Sequence, residues 1–242
     1  MPMKTLIPAN VIDDYLKSIE VTDLNKASIR QVLACALHAE KVTGQEFIHF
    51  EMGVPGLPAS AIGIQAQKEA LDRDVASKYP SIEGISELKK QAARFVKAFI
   101  NTEIKPSNCT PTCGAMQGTF AAFLLCSQLD SAKDTILFID PGFPVQKMQC
   151  QVMGVEFAQF DVADHRAEKL GPKLESYLKQ GNICCIVYSN PNNPSWMCLT
   201  EQEIKTIGEL ATKYDTVVLE DLAYMTMDFR RDGLGIPFQP PY

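Results

Sequence analysis

Polar residues that could do chemistry follow apolar segments towards the end of the chain. Asp221 and Tyr224 come directly after the apolar run 216–220, and the motif Asn190–Pro194 lies about thirty residues before them. A carboxylate that emerges from a buried strand needs a partner, because an unpaired buried charge is costly. Lysine or a helix N-terminus would serve, and so would a protonated ring nitrogen of a ligand. With a phenol and an amide nearby, the pattern favours a site for a planar, charged heteroaromatic ring.

Two weaker motifs also stand between a predicted strand and a predicted helix. The segment Gly114–Gly118 places small residues at a helix start, where exposed backbone N–H groups and the helix dipole favour a phosphate. It is neither a G-x-G-x-x-G motif nor a Walker loop, and a simple turn is the alternative. The segment Asp140–Pro144 holds Phe143 between two prolines, where the ring either stacks on a ligand or packs within its loop.

Strands and helices that must position these motifs alternate from about residue 107. Near-continuous apolar strands separated by helices predict a parallel sheet with helices on both faces. Ligands of such sheets bind beyond the carboxyl ends of the strands, which is where the polar motifs lie. The predicted strands are a short one ending at 110–112, then 135–139, 155–160, 183–188 and 216–220. The predicted helices are 86–99, 115–127, 146–153, 174–180 and one that begins with a capping box at Thr200 and Glu203. Helical patterns also occupy residues 10–43, and residues 46–63 are loop-rich.

Composition argues against several classes of protein. The net charge is -6, and an acidic chain without a concentrated basic face argues against nucleic-acid binding. No apolar stretch approaches the roughly 20 residues of a membrane span, and no signal-peptide core follows Met1, so the cytoplasm is expected. Of the eight cysteines, Cys109 and Cys113 are closely spaced, but no second Cys/His pair at ligand spacing accompanies them. We therefore expect reduced thiols and no metal site.

The order and placement of the motifs resemble those of the fold-type I pyridoxal-phosphate enzymes, specifically the class I/II aminotransferases. The resemblance runs from about Phe47 to Phe229, and it includes Gly53-Val54-Pro55 and a tyrosine, Tyr79, followed five residues later by Gly84.

This resemblance implies an α/β fold in which a mostly parallel sheet is sandwiched by helices, as in the aminotransferase large domain. Residues 1–75 would form the N-terminal arm and part of the small domain. Residues 76–242 would form the pyridoxal-phosphate-binding large domain, incomplete at its C-terminal end. The family's last two strands, which lie between its first and fifth strands, would then be absent.

By the same resemblance, each site residue has a role towards pyridoxal 5'-phosphate or the substrate. Ala115 and Met116 would offer backbone N–H groups to the phosphate, and Phe143 would stack on the ring. Asn193 and Tyr224 would form hydrogen bonds to the phenolic oxygen of the cofactor, and Asp221 would pair with its protonated ring nitrogen. Tyr79 would reach the cofactor phosphate in the neighbouring subunit of a homodimer. Gly53 and Asn193 would contact the substrate. Asp221 and Tyr224 are the catalytic residues in this assignment.

The chain also departs from the family's pattern. The family's covalently bound lysine lies beyond the Asp-x-Ala-Tyr motif, and no lysine follows Tyr224 here. We therefore expect the N-terminal part of a longer protein. Ser195-Trp196 stand where the family often has Thr-Gly, Phe143 replaces a common Tyr or Trp, and Met116 stands where a hydroxyl residue is frequent.

The function implied is an aminotransferase that moves an amino group from an amino acid to a 2-oxo acid. Carbon–sulfur lyase chemistry, or another reaction at the α-carbon, is an alternative on the same scaffold. A second alternative is a non-catalytic regulatory module, in which residues 1–45 would have to be a DNA-binding segment. A lysine after the Asp-x-Ala-Tyr motif in the full-length protein would indicate the enzyme.

Overall fold

The computed structural model describes residues 6–50, 53 and 56–227, which divide into two compact units. The first unit extends to Lys78, and the second begins at Tyr79. Val54 and Pro55 of the early motif, and Phe229 at the end of the resemblance, lie outside the described residues.

Three α-helices belong to the first unit: α1 (Ala9–Ser18), α2 (Ile29–Thr43) and α3 (Ala61–Asp72). Helix α2 begins with a capping box, in which Ser28 and Gln31 satisfy each other's backbone N–H groups, and it ends at Gly44 with a φ of 69°. A polar segment around Thr22 and Asp23 separates α1 from α2, within the region 10–43 that was predicted to be helical.

Helices and strands alternate through the second unit. Its helices are α4 (Ser86–Ile100), α5 (Ala115–Leu129), α6 (Pro144–Met153), α7 (Leu170–Leu178) and α8 (Glu201–Lys213). Its strands are β1 (Thr135–Asp140), β2 (Glu156–Asp161), β3 (Ile183–Ser189) and β4 (Val217–Asp221).

The four strands form one parallel sheet in the order β2-β1-β3-β4. Strands β1 and β3 lie at its centre and are almost wholly buried, as their continuous apolar sequences predict. In the register of β3 and β4, Ser189 lies beside Asp221, so the two strands end together. The predicted parallel α/β fold is confirmed.

Helices cover both faces of the sheet. Alternate residues of β1 face opposite sides: Leu137 and Ile139 pack in one apolar cluster, and Ile136 and Phe138 pack in another. The first cluster contains leucines of α7 and Ile207 of α8, and the second contains residues of α5 and α6. Strand β4 is an edge of the described sheet, where Val217 and Val218 are 42% and 36% exposed.

Two predicted elements need correction. The short strand predicted to end at 110–112 is wrong: described residues 101–114 contain no strand, only a short 3-10 turn at Pro106–Asn108. Pro106 and Pro111 lack the N–H that a sheet ladder needs. Helix α7 begins at Leu170 rather than Leu174, because a proline is tolerated in the first turn of a helix.

Within the described part of the chain, no helix has both the length and the apolar character needed to cross a bilayer.

Candidate active site

The carboxyl ends of β1, β3 and β4 meet the start of α5 around one cavity. Parallel strands place their ends at the same edge of a sheet, and ligand sites of open α/β sheets occur at this edge. The cavity is lined by Ala115, Met116, Thr119, Phe143, Gln146, Ser189, Asn193, Asp221, Ala223 and Tyr224.

Asp221 is the last residue of β4, and both of its carboxylate oxygens accept hydrogen bonds. The side-chain amide of Gln146 donates to Oδ2 at 3.0 Å, and the backbone N–H of Ala223 donates to Oδ1 at 3.1 Å. These two bonds fix the orientation of the carboxylate at the cavity wall. A carboxylate held in this way is a ready partner for a cationic N–H donor of a ligand.

Asn193 and Tyr224 reach the cavity from different loops and contact each other. The side-chain Nδ2 of Asn193 donates to the hydroxyl oxygen of Tyr224 at 3.3 Å. The backbone N–H of Asn193 donates to Oγ of Ser189, at the end of β3. The amide and the phenol therefore present hydrogen-bonding groups at one point of the cavity, and both can bond a shared ligand oxygen.

The buried side chain of Asn190 holds the segment Asn190–Pro194 in place. Asn190 is only 2% exposed, its Oδ1 accepts from the backbone of Leu199 at 3.2 Å, and its Nδ2 donates to Glu220 at 3.4 Å. Burial raises the pKa of the Glu220 carboxyl above its usual range, although the Asn190 amide acts in the opposite direction. Glu220 and Asp221 are thus neighbours on β4 with different surroundings.

The N-terminus of α5 supplies the opposite wall. Gly114 precedes the helix with a φ of 80°, a conformation that residues with a side chain rarely adopt. No side chain caps this helix start, so the first backbone N–H groups, at Ala115 and Met116, are available to a ligand or water. One turn later, Oγ1 of Thr119 donates to Gln149 at 2.8 Å. The helix end therefore suits an anionic group.

Phe143 contributes an aromatic face on the loop that follows β1. Lys147, in α6, forms an ion pair with Asp140 at the end of β1, and the lysine ammonium lies 5.7 Å from the centre of the Phe138 ring. The pair ties the first turn of α6 to the end of β1. It thereby limits how far Phe143 can move from the cavity.

Six of the seven residues predicted to contact the cofactor line this cavity; the exception is Tyr79. Tyr79 is fully exposed at the start of the second unit, and Gly53 is an exposed residue of the first unit. Sequence reasoning missed Thr119, Gln146, Ser189 and Ala223. The position of Gln146 in the cavity could have been predicted from the sequence, because it is a polar residue in the first turn of a helix and lies three residues after Phe143.

Among the described residues, no group of three or more histidine, cysteine, aspartate or glutamate side chains is arranged to hold a metal ion.

The sequence of this chain is similar to those of known transaminases. A probable kynurenine–oxoglutarate transaminase of Saccharomyces cerevisiae is 23% identical over 94% of this chain and 52% of its own length. An aspartate aminotransferase of Pyrococcus horikoshii is 27% identical over 87% of this chain and 51% of its own. The chain therefore spans about half the length of these relatives.

Solved structures agree with the fold. An alanine aminotransferase from Pyrococcus furiosus superposes with a TM-score of 0.68 at 21% identity, covering 79% of this chain and 48% of that one. An aminotransferase from Mycobacterium tuberculosis also gives a TM-score of 0.68, at 19% identity. The family model for aminotransferase class I and II matches residues 48–234. Since that match covers more than half of the sequence, the chain belongs to the class I and II aminotransferase family.

Proposed function

We propose that the cavity binds pyridoxal 5'-phosphate and that the protein containing this chain is an aminotransferase, which moves an amino group from an amino acid to a 2-oxo acid. The observation that carries the proposal is the position of the Asp221 carboxylate. It lies in the same cavity as the Asn193–Tyr224 pair and the uncapped start of α5. A carboxylate, a phenol with an amide, and a helix N-terminus match the ring nitrogen, the phenolic oxygen and the phosphate of this cofactor.

The donor set fits the cofactor group by group. Asp221 would hold the proton on the ring nitrogen, because its charge favours the protonated form. Asn193 and Tyr224 would donate to the phenolic oxygen, the N–H groups of Ala115 and Met116 would bind the phosphate, and Phe143 would cover one face of the ring. When bound, the cofactor supplies a protonated ring that accepts the electron pair left by loss of the substrate's α-proton.

Substrate contacts are part of the same proposal. By the family resemblance, Asn193 and Gly53 would contact the amino acid. Relatives of similar identity are named for different substrates, which are kynurenine, aspartate and LL-diaminopimelate, so family membership alone selects none of them. We also propose that residues 1–75 form the N-terminal arm and part of the small domain, and that the natural location is the cytoplasm. The free thiols of cysteines such as Cys35, Cys113 and Cys126 support a reducing compartment.

A homodimer with shared active sites is the proposed assembly. Its support is the full exposure of Tyr79, a phenol that is free to serve a neighbouring subunit. The test mixes Tyr79→Phe subunits with Asp221→Asn subunits of the natural protein. If Tyr79 acts across the interface, hybrid dimers regain one intact site and activity partly returns. If activity does not return on mixing, the shared site is refuted.

The experiment that tests the function uses the natural, full-length protein with added pyridoxal 5'-phosphate. It is incubated with a panel of amino acids and 2-oxoglutarate, and the products are separated by chromatography. We expect a new amino acid to form at the expense of one donor. Release of ammonia or sulfide without amino transfer would support the lyase alternative instead. Cofactor binding without turnover of any donor would support the regulatory module.

A further inference from the structure

Trp196 occupies an unusual position in the loop that follows Asn193. Its φ is 57°, in the left-handed region that bulky residues rarely adopt, and it is 45% exposed. It is also the only tryptophan in the chain. A large aromatic side chain in a strained backbone position calls for a physical explanation, because such strain persists only where the surroundings impose it.

Hydrogen bonds within the loop impose this conformation. The backbone N–H of Trp196 donates to the carbonyl of Asn192 at 2.7 Å. Oγ of Ser195 donates to Oδ1 of Asn192 at 2.7 Å and accepts from the backbone of Met197 at 3.2 Å. Asn192 is itself buried, at 6% exposure. The indole is therefore presented by a rigid turn rather than by a loose loop.

The indole lies against a residue of the candidate active site. Its ring meets the ring of Tyr224 edge-to-face, with centroids 6.3 Å apart and an interplanar angle of 72°. Tyr224 lines the cavity and accepts a hydrogen bond from Asn193, which is three residues before Trp196. Trp196 therefore lies directly behind a residue of the cavity lining, and nearly half of its surface remains open for a further contact.

We propose that Trp196 is a specificity-determining residue, which packs against the side chain of an aromatic amino-acid substrate. This rests on the proposed function, in which the neighbouring cavity binds the cofactor and the amino acid. Aromatic pairs in offset or edge-to-face geometry attract each other beyond their burial of area, whereas an aliphatic side chain gains only from the burial of area. An exposed indole held rigidly beside the site therefore favours an aromatic substrate over an aliphatic one.

The first test uses the fluorescence of the natural, full-length protein, in which the contribution of Trp196 is the difference in emission between the wild type and Trp196→Phe. Pyridoxal 5'-phosphate is added first, and it should quench the emission by energy transfer. With the cofactor saturating, phenylpropionate is compared with hexanoate as a matched aliphatic carboxylate. Phenylpropionate should shield Trp196 from acrylamide quenching, and hexanoate should shield it much less.

The outcomes separate the two proposals. Absence of quenching by pyridoxal 5'-phosphate would overturn the proposed function. Quenching by the cofactor, with equal shielding by phenylpropionate and hexanoate, would overturn the specificity role of Trp196 and leave the proposed function standing. Trp196→Phe keeps an aromatic ring beside Tyr224, so this comparison does not depend on the more disruptive Trp196→Gly.

The second test measures the affinity for phenylpropionate by calorimetry, with the cofactor present. Trp196→Gly suits the positive φ and removes the indole, and it should weaken phenylpropionate binding roughly 2- to 10-fold. The affinity for hexanoate should change less than that, and Trp196→Phe should recover most of the phenylpropionate affinity. Unchanged phenylpropionate affinity in a folded Trp196→Gly chain would overturn the proposal.

Discussion

The side-chain amide of Gln146 donates a hydrogen bond of 3.0 Å to Oδ2 of Asp221 and so joins the first turn of α6 to the end of β4. Gln146 is buried, with a relative exposure of only 5%. The bond leaves the carboxylate one fixed orientation at the cavity wall.

Replacing Gln146 should therefore weaken the proposed cofactor site by releasing the Asp221 carboxylate. In Gln146→Leu the Asp221 carboxylate loses a donor and gains freedom to rotate. A hydrogen bond to a charged group contributes about 1.5–3 kcal/mol, and partial replacement by water reduces this, so we expect affinity for pyridoxal 5'-phosphate to fall about 5- to 30-fold. Equilibrium dialysis measures the change. The matched control is Gln151→Leu, on the exposed side of α6, which should bind like wild type. Equal losses in both variants would contradict the role of Gln146.

Tyr224→Phe tests the proposed bond to the phenolic oxygen. The substitution keeps the ring that packs against Trp196 and removes only the hydroxyl that accepts from Asn193. Cofactor affinity should fall about 3- to 10-fold, since one hydrogen bond of ordinary strength is lost. Tyr177→Phe is the control, because Tyr177 also loses a hydrogen bond, to the backbone of Gln159, but lies away from the cavity lining. Cofactor affinity in Tyr224→Phe equal to that in Tyr177→Phe would refute the proposed contact.

Much of the fold and the cavity could be predicted because both follow from local patterns. Apolar strands such as 183–188 are readable from the sequence, and parallel pairing brings their polar C-terminal neighbours together. The strand predicted before Gly114 failed for the opposite reason, since a strand exists only where a neighbour can pair with it. Pro111, within that segment, also lacks the backbone N–H that pairing with a neighbour would need.

Side-chain contacts between distant elements were beyond sequence reasoning. Gln146 and Asp221 are 75 residues apart, and only the packing of α6 on the sheet brings them together. The ion pair between Arg166 and Glu203 was likewise not predicted, although the capping box of Thr200 and Glu203 was predicted correctly. Spacing reveals periodic faces and caps, whereas pairings across the sheet depend on the completed fold.

The buried ion pair of Arg166 and Glu203 predicts how stability depends on pH. Glu203 is 1% exposed, and it accepts from Nε and Nη2 of Arg166 at 2.6 Å and from the backbone of Thr200 and Ala167. Burial alone raises the pKa of this carboxyl, but those hydrogen bonds together lower it to about 2 from 4.5. A lowered pKa in the folded state stabilises the protein above pH 4.5, and that stability is lost as the pH falls towards 2.

Glu203→Gln should remove this contribution. We expect the free energy of unfolding at neutral pH to fall by about 2–3 kcal/mol, with a shallower decline between pH 4.5 and 2, measured by urea denaturation. Glu201→Gln, in the same helical turn but exposed, should change stability by only a few tenths of that amount. An acid profile for Glu203→Gln that overlays the wild-type profile would show that the pair does not govern acid stability.

The most direct test of the central claim, that Asp221 holds a proton on the ring nitrogen of bound pyridoxal 5'-phosphate, is the NMR chemical shift of that nitrogen in isotopically labelled cofactor. The natural, full-length protein is saturated with labelled cofactor at a pH at which the free ring has lost its proton. We predict the shift of a protonated ring nitrogen in the wild-type protein, and that of a deprotonated one in Asp221→Asn. A bound ring nitrogen that titrates like the free cofactor, or that has the same shift with and without the Asp221 carboxylate, would contradict the account.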